Sequence, residues 1–141
     1  MRQPNQIRIL ALLLAALTLP MAASAATPTV DAMRDHRRIV LIAAPGKDEP
    51  AAARQKTILA HWRKGAEDRD ISIVDVAGAD VTGATDDADR LRRRYRLDRT
   101  RFQVLLIGKD GHVALRSTRP VPANRLQQTI DAMPMRRDGG R

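Results

Sequence analysis

The sequence predicts an α/β fold, a three-layer sandwich around a central four-stranded mixed sheet. Three observations predict it. The apolar run from Arg38 to Ala44 has no polar alternation, as in a central strand buried on both faces. Two segments of helical spacing separate it from two later strand-like segments. An Asp-Gly pair between the last two apolar runs signals a hairpin.

Each element has its own reason. The first strand, Arg38–Ala44, stops at Pro45-Gly46. Residues 48–66 read as one helix with Pro50 in the first turn, where proline is tolerated. Gln55, Ile58, Leu59, Trp62 and Ala66 share one of its faces, and Gly65 weakens its last turn. The second strand, Ile71–Val76, is rich in β-branched residues, and 77–85 is a glycine-containing loop. Residues 86–97 form the second helix. Thr85, Asp86 and Asp87 place caps and negative charge at its start, and arginines fill its end. Ala88, Leu91 and Tyr95 are its apolar stripe.

The third strand is Phe102–Ile107, and Gly108-Lys109-Asp110-Gly111 turns it into a fourth, His112–Arg116. Pro122 and Ala123 open the last helix, which carries Leu126, Ile130 and Met133 on one face and ends at Pro134. Helical crossovers join strands one to two and two to three, so both pairs are expected to be parallel and right-handed. This order is that of a thioredoxin-like domain, with another small α/β sandwich as the alternative.

The first segment has the layout of an export signal. Arg2 and Arg8 give a positive start, Ile9–Leu19 is apolar, Pro20 breaks it, and Ala23-Ser24-Ala25 is a small-residue cleavage pattern. The apolar run is shorter than the roughly 20 residues a membrane-spanning helix needs. The expected organisation is a signal peptide over 1–25, a flexible lead-in over 26–36, a folded domain over 37–137 and a disordered tail over 138–141. The expected location is the bacterial periplasm or the exterior, with no transmembrane segment in the mature chain.

Composition limits the chemistry. The 141 residues include no cysteine and carry a formal net charge of +9, most of it from arginine. Thiol–disulfide exchange requires a thiolate, so a thiol oxidoreductase is excluded. The positive charge suits anionic partners. Export argues against nucleic acid and leaves an unknown protein or anionic ligand as the expected partner. His36, His61 and His112 are scattered without zinc-pair spacing, and Met133 and Met135 flanking Pro134 read as packing residues before copper ligands. No cofactor, metal ligand or catalytic residue is assigned.

Two groups of residues stand out. Gly46 and Lys47, after the first strand and ahead of the first helix, form a candidate anion cradle. Arg69, Asp70, Lys109, Asp110, Asp131 and Arg136 form a polar set at element ends, with an Asp131–Arg136 pair expected to pin the tail. The run Arg90, Arg92, Arg93, Arg94, Arg96 and Arg99 reads as a solvated helix face or, alternatively, as a contact for an anionic surface.

The Arg69-Asp70 step, the Leu106-Ile107-Gly108-Lys109-Asp110-Gly111 turn and the segment Ile130-Asp131-Ala132-Met133-Pro134-Met135-Arg136-Arg137 resemble the pattern of the DUF4174 family. The likeness covers roughly Arg37 to Arg137, and Asp138 takes the place of an acidic residue that often follows the arginines there. The resemblance implies export and a fold similar to thioredoxin and peroxiredoxin domains. It implies no catalytic residue. Both hallmarks of a redox site are missing: no cysteine follows the first strand, and Thr100 and Arg101 stand where a proline would precede the third. The sequence therefore points to a non-catalytic binding module. The alternative is a cysteine-free enzyme or a metal- or anion-binding protein linked to oxidative-stress defence, which would gather Asp70, Asp110 and Asp131 around one cavity.

Overall fold

The computed structural model describes residues 25–134. The residues up to Ser24, which make up nearly all of the expected signal peptide, and those from Met135 onward, Arg136 and Asp138 among them, lie outside the described residues.

Strand β1 (Arg38–Ala44) is buried at every position, as its unbroken apolar run requires. It runs parallel to β2 (Ile71–Ala77). On its other side lies β4 (Gln103–Ile107), which is antiparallel to it and likewise buried throughout. Hairpin strand β5 (Val113–Ser117) forms one edge, and β3 (Asp80–Thr82) forms the other. The sheet order is β3-β2-β1-β4-β5.

Two expectations are corrected here. The sheet has five strands, because the loop after β2 folds back as β3 between Gly78 and Gly83. Gly83 has φ +84°, and a Cβ there would collide with the Ile73 carbonyl, so the turn onto β2 requires glycine. The third main strand, β4, also pairs with β1 and not with β2, and it is antiparallel. The β3 hairpin inserts one more reversal of chain direction between β2 and β4.

The alternation of β1 supplies both layers of core. Ile39, Leu41 and Ala43 face one side, with Leu91 and Tyr95 of α3 (Ala88–Tyr95). Val40, Ile42 and Ala44 face the other, with Leu59 of α1 (Pro50–His61), Ala66 of α2 (Arg63–Glu67), and Leu126 and Ile130 of α4 (Ala123–Asp131). Helices thus cover both faces of a mixed sheet, the predicted three layers.

The expected single helix over 48–66 is broken at Trp62, whose φ of −100° and ψ of 16° leave the helical range. The Trp62 indole lies over Gly65, where any Cβ would strike the ring. The segment expected as a flexible lead-in is anchored at two residues. Val30 precedes and Met33 ends a short 3-10 turn (Asp31–Met33), and both are buried in the α3-side core. Asp86, expected as a helix cap, instead accepts a hydrogen bond from the Val30 N–H at 2.7 Å. Asp87 takes the cap, accepting from the Arg90 N–H at 3.0 Å.

Candidate functional site

The polar set gathers at the end of the sheet where β1 and β2 begin and β4 ends. Asp70 immediately precedes β2 in a left-handed conformation (φ 53°), which aspartate tolerates better than most residues. Lys109 enters from the β4–β5 turn and donates to Asp70 Oδ2 at 2.8 Å. That hydrogen bond holds the Asp70 carboxyl below the usual aspartate range, against the opposing effect of burial. The neighbouring Arg69 turns the other way. Its Nε and Nη2 meet both oxygens of Asp131, at the end of α4, at 3.1 and 3.0 Å. Its Nη1 donates to the Gly65 carbonyl, and its guanidinium sits 5.8 Å from the Trp62 ring centre. This fork joins α4 to the α2–β2 corner, with a planar geometry lysine cannot reproduce.

Asp110 has a local task. Its carboxylate accepts the His112 N–H at 3.0 Å and so shapes the hairpin turn, where Gly111 has φ +83°. The three aspartates therefore share one end of the molecule without sharing a cavity. Beside them is a pocket of about 270 Å³ whose lining includes Arg38, Lys109, Asp110, His112, Met133 and Pro134, and of the three aspartates only Asp110 lines it. Arg38 is buried there and donates to the Arg69 carbonyl at 3.0 Å. Arg136 lies outside the described residues, so the expected Asp131–Arg136 pair does too. Within the described residues Asp131 is held by Arg69. No three His, Asp or Glu side chains of the described residues come together as metal ligands would.

The opposite end of β1 carries the Gly46-Lys47 segment. Lys47 pairs with Asp80 of β3 at 2.8 Å, and its pKa is raised chiefly by that hydrogen bond. Glu49 caps α1, its side chain accepting from the Ala51 N–H at 3.3 Å. Lys47 and the start of α1 each thus have a carboxylate of the chain itself as partner.

The arginine run on and after α3 is engaged in part, four of its six members sharing two carboxylates. Arg90 and Arg94 pair with Asp31, and Arg92 and Arg99 pair with Asp89. On the other face of the sheet, positive charge lines a concave surface. A groove of about 740 Å³ lies between α1, β5, the loop after β5 and α4. Arg54, Arg119 and Arg125 line it from three different segments, over Ile58, Leu115 and Val121. No carboxylate lines it, and none of these three arginines makes an ion pair among the described residues. Gln55 fixes one wall. Fully buried on α1, it donates to the Val121 carbonyl at 3.1 Å and accepts the Val121 N–H at 2.7 Å.

Sequence reading placed Gln55 on the buried face of its helix but missed this groove. Its arginines are far apart in the chain and follow no motif. The only local signal is the Arg119-Pro120-Val121-Pro122 segment, which carries a charge on a proline-stiffened connection.

A family model for a domain of unknown function, DUF4174, matches residues 29–139. The chain belongs to the DUF4174 family. The match begins ahead of the resemblance read from sequence, and it takes in the packed turn at Asp31–Met33. No curated protein matches the chain. In this DUF4174 domain the family-like segments, Arg69-Asp70, the Gly108–Gly111 turn and the end of α4, are the ones that the two ion pairs tie together. The groove draws on other residues.

Proposed function

We propose that this DUF4174 domain is an exported, non-catalytic binding module on a thioredoxin-like scaffold, and that it takes an anionic ligand in the groove between α1, β5 and α4. The observation that carries the reading is the groove's charge: three arginines from separate segments, with no carboxylate in the lining. Guanidinium groups left without partners beside a concave surface suit carboxylate, phosphate or sulfate groups.

Other features support the reading. The parallel β1–β2 unit, the antiparallel β4–β5 hairpin and the closing helix α4 fit a thioredoxin-like layout. The absence of cysteine removes thiol chemistry from it. Asp70 and Asp131, the carboxylates an acid–base mechanism would use, are engaged by Lys109 and Arg69. The positive start, apolar run and Ala23-Ser24-Ala25 pattern support export.

The test is to express the full chain in a bacterium, recover it from the periplasmic fraction and measure the salt needed to elute it from immobilised heparin. The mature protein is expected to begin at Ala26. The triple variant Arg54→Gln, Arg119→Gln and Arg125→Gln is expected to elute at clearly lower salt than a variant of equal charge change, Arg63→Gln, Arg93→Gln and Arg96→Gln. Equal elution of the two variants would remove the groove from the proposal, and an uncut cytoplasmic product would remove export.

A further inference from the structure

The groove has a feature that a site for a free anion does not need. One of its walls is β5, contributed by Leu115, Arg116 and Ser117 in sequence. β5 is an edge strand, bonded to β4 on one side and, among the described residues, to no strand on the other. Every one of its residues is at least partly exposed, and Val113 is one of two large apolar side chains exposed among the described residues. An open edge offers unpaired N–H and C=O groups to any extended segment that lies beside it.

The groove's lining matches such a segment. A strand presents side chains to alternate sides. Beside β5 the lining combines the apolar Ile58, Leu115 and Val121 with the cations of Arg54, Arg119 and Arg125. Resting on the reading of this groove as an anion site, we infer that its ligand is an acidic peptide segment that adds to the β5 edge as a further strand. Its backbone pairs with β5, its carboxylates meet the three arginines, and its apolar side chains lie on the groove floor. Strand addition of this kind draws affinity from the main chain and selectivity from alternate side chains.

The other sheet edge does not offer the same combination. β3 spans only Asp80–Thr82, and its Asp80 is committed to Lys47. The charge there is already balanced, and an acidic segment would meet Asp80.

The test is fluorescence anisotropy of the purified protein with a labelled, end-capped octapeptide of alternating glutamate and valine. A second peptide of the same sequence is N-methylated at alternate residues, which removes its strand-pairing N–H groups and leaves its charge intact. Wild-type protein is expected to bind the first peptide at least tenfold more tightly than the second. The triple groove variant is expected to lose at least tenfold toward the first. Equal binding of both peptides would overturn strand addition while leaving the groove as an anion site. No binding of either peptide would overturn the inference, and binding of inorganic pyrophosphate or phosphatidylglycerol vesicles in its place would assign the groove to phosphate groups.

Discussion

Gln55 and Val121, 66 residues apart, hold each other through both backbone groups of Val121 in the interior. The side-chain amide acts as a substitute strand neighbour for a residue that has none. It fixes the loop after β5 against α1, and with it the start of α4, which has no side-chain cap of its own.

Replacing Gln55 with alanine leaves a buried N–H and a buried C=O without partners. Such groups each cost about 1–3 kcal/mol, so a loss of about 2–4 kcal/mol is expected in urea unfolding. Gln55→Glu places a buried carboxylate against the Val121 carbonyl and is expected to destabilise at least as much as alanine at neutral pH, and less in acid, where the protonated carboxyl can donate. A wild-type midpoint for Gln55→Ala would show that the loop is held by its other contacts. Because Val121 and Arg119 both line the groove, the alanine variant is also expected to weaken heparin retention.

The Arg69–Asp131 fork makes a different prediction. Asp131 is 41% exposed at its side chain, so its ion pair is screened by water and contributes on the order of 1 kcal/mol. Arg69 contributes more, because it also bonds the Gly65 carbonyl and lies near the Trp62 ring. Arg69→Ala is therefore expected to destabilise more than Asp131→Asn. In a double-mutant cycle a coupling of about 0.5–1 kcal/mol is expected. Equal single-variant effects would mean that the contacts to Gly65 and Trp62 contribute nothing.

The sheet's centre was legible because β1 and β4 are buried on both faces and so carry uninterrupted apolar runs. The edges were harder. Asp80-Val81-Thr82 is too short for any period to emerge, and β3 exists because β2 offers it a partner and Gly83 allows the turn. Missing that hairpin also hid the reversal that makes β4 antiparallel. The break at Trp62 escaped for another reason. Helical spacing continues through Ala66, and the break lies in one residue's backbone angles and the fit of an indole over Gly65.

The site divides along the same line. Asp70, Lys109, Arg69 and Asp131 could be singled out as charges at element ends, but their pairings join residues 39 and 62 apart. Only the sheet order brings those ends together. The α3 arginines drew notice because they are nearly contiguous, yet four of the six share Asp31 and Asp89. Arg54, Arg119 and Arg125 had no such visibility.

The Asp70–Lys109 pair sets a pH expectation. Asp70 has a folded-state pKa lowered by its hydrogen bond with Lys109. A lowered carboxyl pKa stabilises the fold above the unfolded value of about 4. That contribution is lost as pH falls through the lower folded value. The melting temperature of Asp70→Asn is therefore expected to lie below wild type at neutral pH and to converge on it in acid below about pH 4. A constant gap across that range would show that the variant's loss does not come from the charge of Asp70.

Tyr95 gives the opposite expectation. Its ring is buried in the α3-side core, and its hydroxyl has no hydrogen-bond partner among the described residues. Burial, acting before any neighbouring charge, raises its pKa. A buried hydroxyl without a partner costs about 1–3 kcal/mol, and phenylalanine keeps the ring while removing that group. Tyr95→Phe is expected to leave stability unchanged or raise it by up to about 1 kcal/mol, a small part of that range, because the cavity left by the oxygen offsets most of the gain. The carbonyl of Tyr95 still receives the Arg116 guanidinium at 2.6 Å, so the tie between α3 and β5 survives the substitution. Thermal unfolding of the two proteins decides it. A drop in melting temperature would mean that the hydroxyl has a partner in solution, and Arg34 and Asp31, which line the small cavity beside the ring, are the groups to replace next.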